Sequence, residues 1–275
     1  MFLDALGARR IPDPTTAGDF CRRFATADID TLQDIFNDVR QGVWRQQTDS
    51  NFFDLAVIDM DGSLVATSGQ CKQGMDIAYD GTWGYPAFVL SLANTGEVLW
   101  LLNRSGNRPS HEGAAAAVDR VVAVCRQGGF RKVLLRGDTD FSQSEHLDRW
   151  DADGRQFLFG FDAVPKLKAI AEELPAAAWQ PLPRLPHYTA KTQPRTRPDN
   201  VKEAVVVERE FENQRLCSEE VAEFPYQPTA CRQPYRMVVV RKNLSAAKGE
   251  KVLFDDVRYF FYITNVTLLE AKQLV

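Results

Sequence analysis

The stretch Phe52–Thr67, FFDLAVIDMDGSLVAT, decides how the rest of the chain is read. Its first part, Phe53–Ile58, is a near-continuous apolar run of the kind found in strands covered on both faces. Two carboxylates, Asp59 and Asp61, close the run, and Asp61-Gly62 suggests an immediate turn. Side chains at i and i+2 of a strand share a face. Like charges placed so repel, and burying them uncompensated costs several kcal/mol. The pattern therefore asks for a positive species beside the two acids.

On the N-terminal side, residues 14–45 read as helix. Phe20 and Phe24 make a short stripe, and Leu32, Ile35, Phe36, Val39 and Val43 recur at helical spacing. Thr15 or Thr16, and then Asp30 or Thr31, are candidate caps. On the C-terminal side, a polar, Gly-rich segment over 68–84 leads to strands at Tyr85–Leu92 and Val98–Leu102. The short link Ala93–Glu97 (ANTGE) makes that pair an antiparallel hairpin. After the polar loop NRSGNRPSHEG, Ala117, Val118, Val121, Val122 and Cys125 mark a helix over Ala114–Cys125, ended by Gly128-Gly129. Lys132–Leu135 is a strand that runs into Arg136-Gly137-Asp138. Phe157–Gly160 reads as a further strand and Lys166–Glu173 as a helix. The prolines of 175–199 exclude regular helix or central strand and predict an extended excursion. Ala204–Val207, Arg236–Arg241 and Arg258–Thr264 are strand-like, and a final helix begins near Val266–Leu274.

The 275 residues are 44% hydrophobic and 25% charged, enough for a sizeable core. A net charge of −4 gives no global attraction to nucleic acid, so any DNA contact needs a local basic patch. Five cysteines without a CxxC pair read as reduced thiols, neither a disulfide frame nor a zinc site. His111, His146 and His187 have no ligand spacing to any cysteine. No run is long enough to span a bilayer, and the first residues hold no long apolar signal core. These features predict a soluble cytoplasmic protein with no membrane partner.

The element order is strand with Asp59 and Asp61, hairpin, helix, strand with Asp138. In a ribonuclease H-like α/β fold the first and fourth strands of that order lie side by side and parallel. Asp61 and Asp138 then converge, and a hard divalent cation, Mg2+ or Mn2+, held through oxygen offsets their repulsion.

At this level of detail the chain resembles the DDE transposases of bacterial insertion sequences. The resemblance lies in IDMDGS (58–63), KQGMD, GTWGYPAFVLSLANTGEVL and NRSGN (72–107), LLRGDTDF (134–141) and YFFYITN (259–265), with PTTAGDFCRRF near the start. It implies a ribonuclease H-like mixed sheet with flanking helices over 50–165 and 255–275, an N-terminal helical segment over 1–48, and a β-rich insertion over 166–254. It also implies metal-dependent cleavage and strand transfer of transposon-end DNA by a homodimer, in a bacterial protein associated with the nucleoid when bound. Carried over by position, the first acid is Asp61, with Asp59 the second choice, and the second acid is Asp138. Asp140 is a supporting or turn-forming residue. The family's third acid, a Glu on a downstream helix within a Tyr/Arg/Glu/Lys stretch, has no counterpart before Val275. Glu270 lies on the right element but too early. The expectation is a truncated copy that binds metal poorly and does not cut DNA unaided.

Arg104 and Arg136 are candidate phosphate ligands, as are Lys191, Arg195 and Arg197 in the proline-rich run. Two other functions stay open. DMDGSL also fits the first motif of haloacid dehalogenase-like phosphatases, with Asp59 as nucleophile, although GDTDF lacks the acid that motif set needs at Ser142. An inactive, DNA-binding remnant is the other. More plainly, Asp61 could serve only a strand-end turn and Asp138 only a helix cap.

Overall fold

Strand β1 (Leu55–Ala66) is twelve residues long and passes straight through Gly62-Ser63. The turn suggested by Asp61-Gly62 is absent. Antiparallel pairing with β3 (Trp83–Leu92), from Ile58 opposite Leu92 to Ala66 opposite Gly84, keeps the backbone extended through those residues. Ala56, Ile58 and Met60 are buried, while Leu55, Val57 and Asp59 on the other face are half-buried. The structure is a computed structural model that describes residues 13–69, 72–183, 214–246 and 256–275.

Among the described residues the sheet has ten strands. β2 (Asp76–Ile77) and β4 (Glu97–Leu102) both pair antiparallel with β3, and β4 forms the expected hairpin with it. On its other side β1 pairs in parallel with β5 (Lys132–Gly137), which pairs in parallel with β6 (Gln156–Phe161). The order β4-β3-β1-β5-β6 puts the first long strand between the second and the fourth, as in a ribonuclease H-like fold. β10 (Asp256–Thr264) follows antiparallel to β6, and β9 (Tyr235–Ala246), β8 (Gln214–Tyr226) and the two-residue β7 (Gln180–Pro181) continue the same sheet. The described strands of the 166–254 region thus hydrogen-bond into the main sheet through β10. Ala204–Val207 and the prolines from Pro186 to Pro198 lie outside the described residues.

Helices α1 (Pro14–Cys21) and α2 (Thr26–Trp44) form the N-terminal pair. α2 lies on the edge strand β4, whose outward backbone groups need partners. Its inward side chains supply them. Asn37 donates to the Leu99 carbonyl at 3.1 Å, Arg40 to the Val98 carbonyl at 2.7 Å, and Gln33 accepts from the Leu101 amide at 2.7 Å. Trp44, almost wholly buried, donates to Glu97 at 3.0 Å. The inward face of α2 is therefore largely polar, and its apolar stripe points elsewhere.

Helix α3 (Ala114–Gly128) buries Val118, Val121, Val122 and Cys125. Gly129, at φ 108°, ends it in the left-handed conformation that glycine tolerates. Burial pushes the Cys125 thiol up to about 12, so it is an inert core group. Cys21, Cys125 and Cys231 are free thiols. α4 (Ser144–Ala152) buries Leu147 and Trp150, and α5 (Pro165–Glu173) buries Leu167 and Ala171. The final helix, α6, is only Ala271–Leu274. Among the described residues no helix is long and apolar enough to cross a membrane.

The end of β10 is tied to the start of β6 by side chains. Thr264, fully buried, donates to the Phe157 carbonyl at 2.5 Å. Asn265 accepts from the Phe157 amide at 2.9 Å and donates to Asp151 at 2.6 Å and to the Arg155 carbonyl at 2.9 Å. One side chain thus satisfies β6, α4 and the link between them. Asn265→Ala leaves these partners unpaired, with an expected loss of about 2–3 kcal/mol. Urea unfolding should show a lower midpoint at unchanged slope.

Candidate active site

The parallel register between β1 and β5 runs from Leu55 opposite Lys132 to Met60 opposite Gly137. Asp61 and Asp138 are the next residues on each chain, where the two strands part. Clefts for ligands form at such carboxyl ends of parallel strands. Asp138 leaves β5 and caps the short turn Thr139–Phe141, its Oδ1 accepting the Asp140 amide at 3.0 Å. Partial burial raises the Asp138 pKa, and the negative charges of Asp140 and Asp61 raise it further against the Asp140 amide. The carboxylates of 61 and 138 thus feel one another across the gap. Gly160 of β6 presses on this turn: a Cβ there would stand 2.9 Å from the Thr139 nitrogen and 3.1 Å from the Asp138 carbonyl carbon. Only glycine lets β6 lie this close behind Asp138.

One pair earlier on the ladder the chemistry differs. Asp59 and Arg136 are register partners, and the guanidinium grips the carboxylate through Nε–Oδ1 at 2.6 Å and Nη2–Oδ2 at 2.8 Å. This two-point contact raises the Arg136 pKa. Asp59 therefore has its counter-charge within the protein, whereas Asp61 adds negative charge to the surroundings of Asp138.

Arg104 sits differently from its expected place as a phosphate ligand. It is only 8% exposed and is turned inward onto carbonyls. Its Nε donates to Pro86 at 3.3 Å, and its Nη1 to Pro109, Ser110 and Glu112 at 3.1, 2.8 and 2.8 Å. Through these bonds it holds the 103–113 loop. The loop comes back beside β1, so that a side chain at Gly62 would meet Ser110 at 3.6 Å. Ser110 thus stands against the Gly62 face of β1, the face opposite Asp61, a placement for which the sequence offers no signal beyond a polar loop. Lys191, Arg195 and Arg197 lie outside the described residues.

Glu270 is far from this cleft along the sheet. β10 runs antiparallel to β6, so its C-terminal end meets the start of β6, with Thr264 opposite Leu158. Leu268 and Leu269 line a cavity with Leu55, Lys132 and Gln156, at the beginnings of β1, β5 and β6. Glu270 follows them, caps α6 and pairs with Lys272 at 2.7 Å. Among the described residues no three His, Cys, Asp or Glu side chains gather as a metal-holding group. Asp61 and Asp138 form a pair of hard oxygen donors whose mutual repulsion a divalent cation would relieve, and in that respect they fit one.

The sequence model of the family described as "Transposase DDE domain group 1" matches residues 13–275. A cryo-EM structure of a piggyBac transposase synaptic complex with hairpin DNA is similar at TM-score 0.38 and 10% identity, covering 80% of this chain and 36% of that one. The chain thus spans about a third of that transposase's length. A comparison with curated proteins gives no match. With the family's sequence model matched from residue 13 to residue 275, the chain belongs to the DDE transposase domain family.

Proposed function

We propose that this chain is the catalytic domain of an insertion-sequence transposase, acting on the phosphodiesters of transposon-end DNA with Mg2+ or Mn2+ held by Asp61 and Asp138. The observation that carries the reading is the placement of these two acids just past the last paired residues of adjacent parallel strands, with Asp138 raised in part by Asp61. A bound ion supplies Lewis-acid polarisation and charge neutralisation for phosphodiester chemistry. The chain's own residues do the positioning. Arg136 fixes Asp59 below the acid pair, Gly160 supports the Asp138 turn, and Arg104 holds the 103–113 loop. Arg136, partly exposed, and the basic run Lys191, Arg195 and Arg197 are the phosphate contacts in this reading.

Two features favour it over the phosphatase alternative. β1 returns as an antiparallel partner, β3, with no helical crossover after the motif. Asp59, which would be the nucleophile, has both oxygens on Arg136. An inactive DNA-binding remnant is the second reading, and the lack of a third converging ligand among the described residues favours it.

Supercoiled plasmid incubated with the chain and Mn2+ separates these readings. Nicking that falls by at least about a thousandfold in Asp61→Asn or Asp138→Asn, and less than about tenfold in Asp59→Asn, supports the catalytic reading. No ion-dependent nicking at all selects the remnant.

Ion binding is measured separately by thermal melting. At a tenfold excess over its dissociation constant, Mg2+ or Mn2+ adds about 1.4 kcal/mol, a rise of roughly 3–5 °C for a chain of this size. That increment should vanish in Asp61→Asn and in Asp138→Asn. A raised carboxyl pKa means that the fold disfavours the charged form, so the wild type loses stability as pH climbs through that pKa. Ion-free Asp138→Asn, which can still cap the turn, should therefore melt at or above wild type at neutral pH. The difference should close on acidification below the ordinary carboxylate range.

A further inference from the structure

The β1–β5 ladder ends at Met60 opposite Gly137, one residue short of both acids. The separation of Asp61 and Asp138 is therefore set by whatever holds the two chains beyond the ladder. A stacked pair of rings does so. Phe141 closes the turn that Asp138 caps and is 1% exposed. Its ring lies on Phe88 of β3, with centroids 5.3 Å apart and planes 23° from parallel. Phe88 is the register partner of Gly62, the residue after Asp61, and partners in an antiparallel pair share a face. Phe88 thus lies on the face of β1 opposite Asp61, the core side. It is fully buried, with the Arg104 guanidinium carbon 5.2 Å from its ring centre. The end of β5 is fitted closely to the other ring. A Cβ at Gly137 would stand 3.0 Å from the Phe141 Cβ and 3.2 Å from its Cδ2, so any side chain there crowds the ring.

We propose that Phe141 is a positioning residue: its stack on Phe88 fixes the separation of Asp61 and Asp138 and so sets their affinity for a divalent cation. This role rests on the ion site proposed above and adds the contact that holds the shape of that site. The two acids are anchored unequally. Asp61 lies within β1, which stays paired with β3 as far as Ala66. Asp138 stands where β5 leaves the sheet for a short turn, and Thr139 and Asp140 of that turn are exposed. Phe141 is the side chain of the turn that enters the core. Through Phe88 it ties the turn to β3, the same strand that holds Asp61. Gly160 bounds the turn from the β6 side, and the stack bounds it from the β3 side. Losing a contact that orients metal ligands typically costs about ten- to a hundredfold in metal affinity.

Calorimetric titration of the chain with Mn2+, without DNA, tests it. Phe141→Leu keeps an apolar side chain but loses the flat stack, and it should raise the dissociation constant by about tenfold or more. Phe88→Leu should do the same from the other side of the contact. The double variant should lose no more than the worse single one, as residues acting through one contact do. Both variants also melt lower, as any loss of core volume does, and Phe157→Leu isolates that effect. Phe157 is as deeply buried but sits at the start of β6, so its variant should melt lower and still bind Mn2+ as the wild type does. Gly137→Ala keeps both rings and crowds Phe141, and it should weaken ion binding even where a leucine variant does not fold. Unchanged affinity in Phe141→Leu or Gly137→Ala, losses that multiply in the double variant, or equal weakening in Phe157→Leu each overturn the positioning role and leave the ion site standing. A wild type that binds no Mn2+ overturns the ion site and the role together.

Discussion

The register of β1 against β5 constrains the site more than any single contact does. Ala56, Ile58 and Met60 point into the core, and Asp59 and Asp61 therefore point to the other face. A slip of one residue would exchange the two sets, putting two carboxylates in the core and three apolar side chains outside. That penalty is far larger than the strength of any surface ion pair, so apolar burial sets the register. The Asp59–Arg136 contact then sits on the register as a local lock, formed between residues already opposite each other. Being partly exposed, it contributes at most about 1 kcal/mol. Its value lies in geometry, since it fixes the two side chains directly below the acid pair.

Much of this was legible in the chain because the deciding segments are bounded by strong local signals. The apolar run into Asp59, the ANTGE link, the stripe from Ala117 to Cys125 and the run into Asp138 each have one dominant period and a clear end. What failed to show is equally physical. Asp61-Gly62 reads as a turn because Gly permits one, yet pairing with β3 along nine successive residues outweighs that permission. α4 is short and largely polar, and only Leu147 and Trp150 enter the core, too few to make a period. β8 interleaves Glu219, Glu220 and Glu223 with Val221 and Ala222, and its place in the sheet comes from β9 rather than from its own composition. Asp61 and Asp138 are proposed from apolar runs that lead into acids, whereas the inward turn of Arg104 depends on loop carbonyls that no spacing rule announces.

The same limit explains α2. Periodicity locates a helix without saying which face meets the protein. Here the neighbour is the edge strand β4, whose open amides and carbonyls are better matched by Asn37, Gln33 and Arg40 than by leucines. Covering a strand edge with a polar helix face removes one hazard of an exposed edge and creates another surface, the apolar stripe on the far side. The fold's solution at β4 and the exposed apolar stripe are thus two sides of one packing decision.

The acid cleft follows a parallel logic on the ladder itself. Asp59 and Arg136 are register partners on the β1–β5 ladder, and Asp61 and Asp138 lie one residue past its last pair, Met60 and Gly137. The first is a carboxylate facing a guanidinium and is electrically closed. The second is a carboxylate near a carboxylate, placed where the strands separate and held there by a glycine behind the turn. If the protein needed only a stable end to β5, a second arginine at either position would serve better, because it would remove the repulsion that lifts Asp138. A chain that neutralises one position and leaves the next negative keeps an unmet charge there, and the cation proposed above is what would balance it.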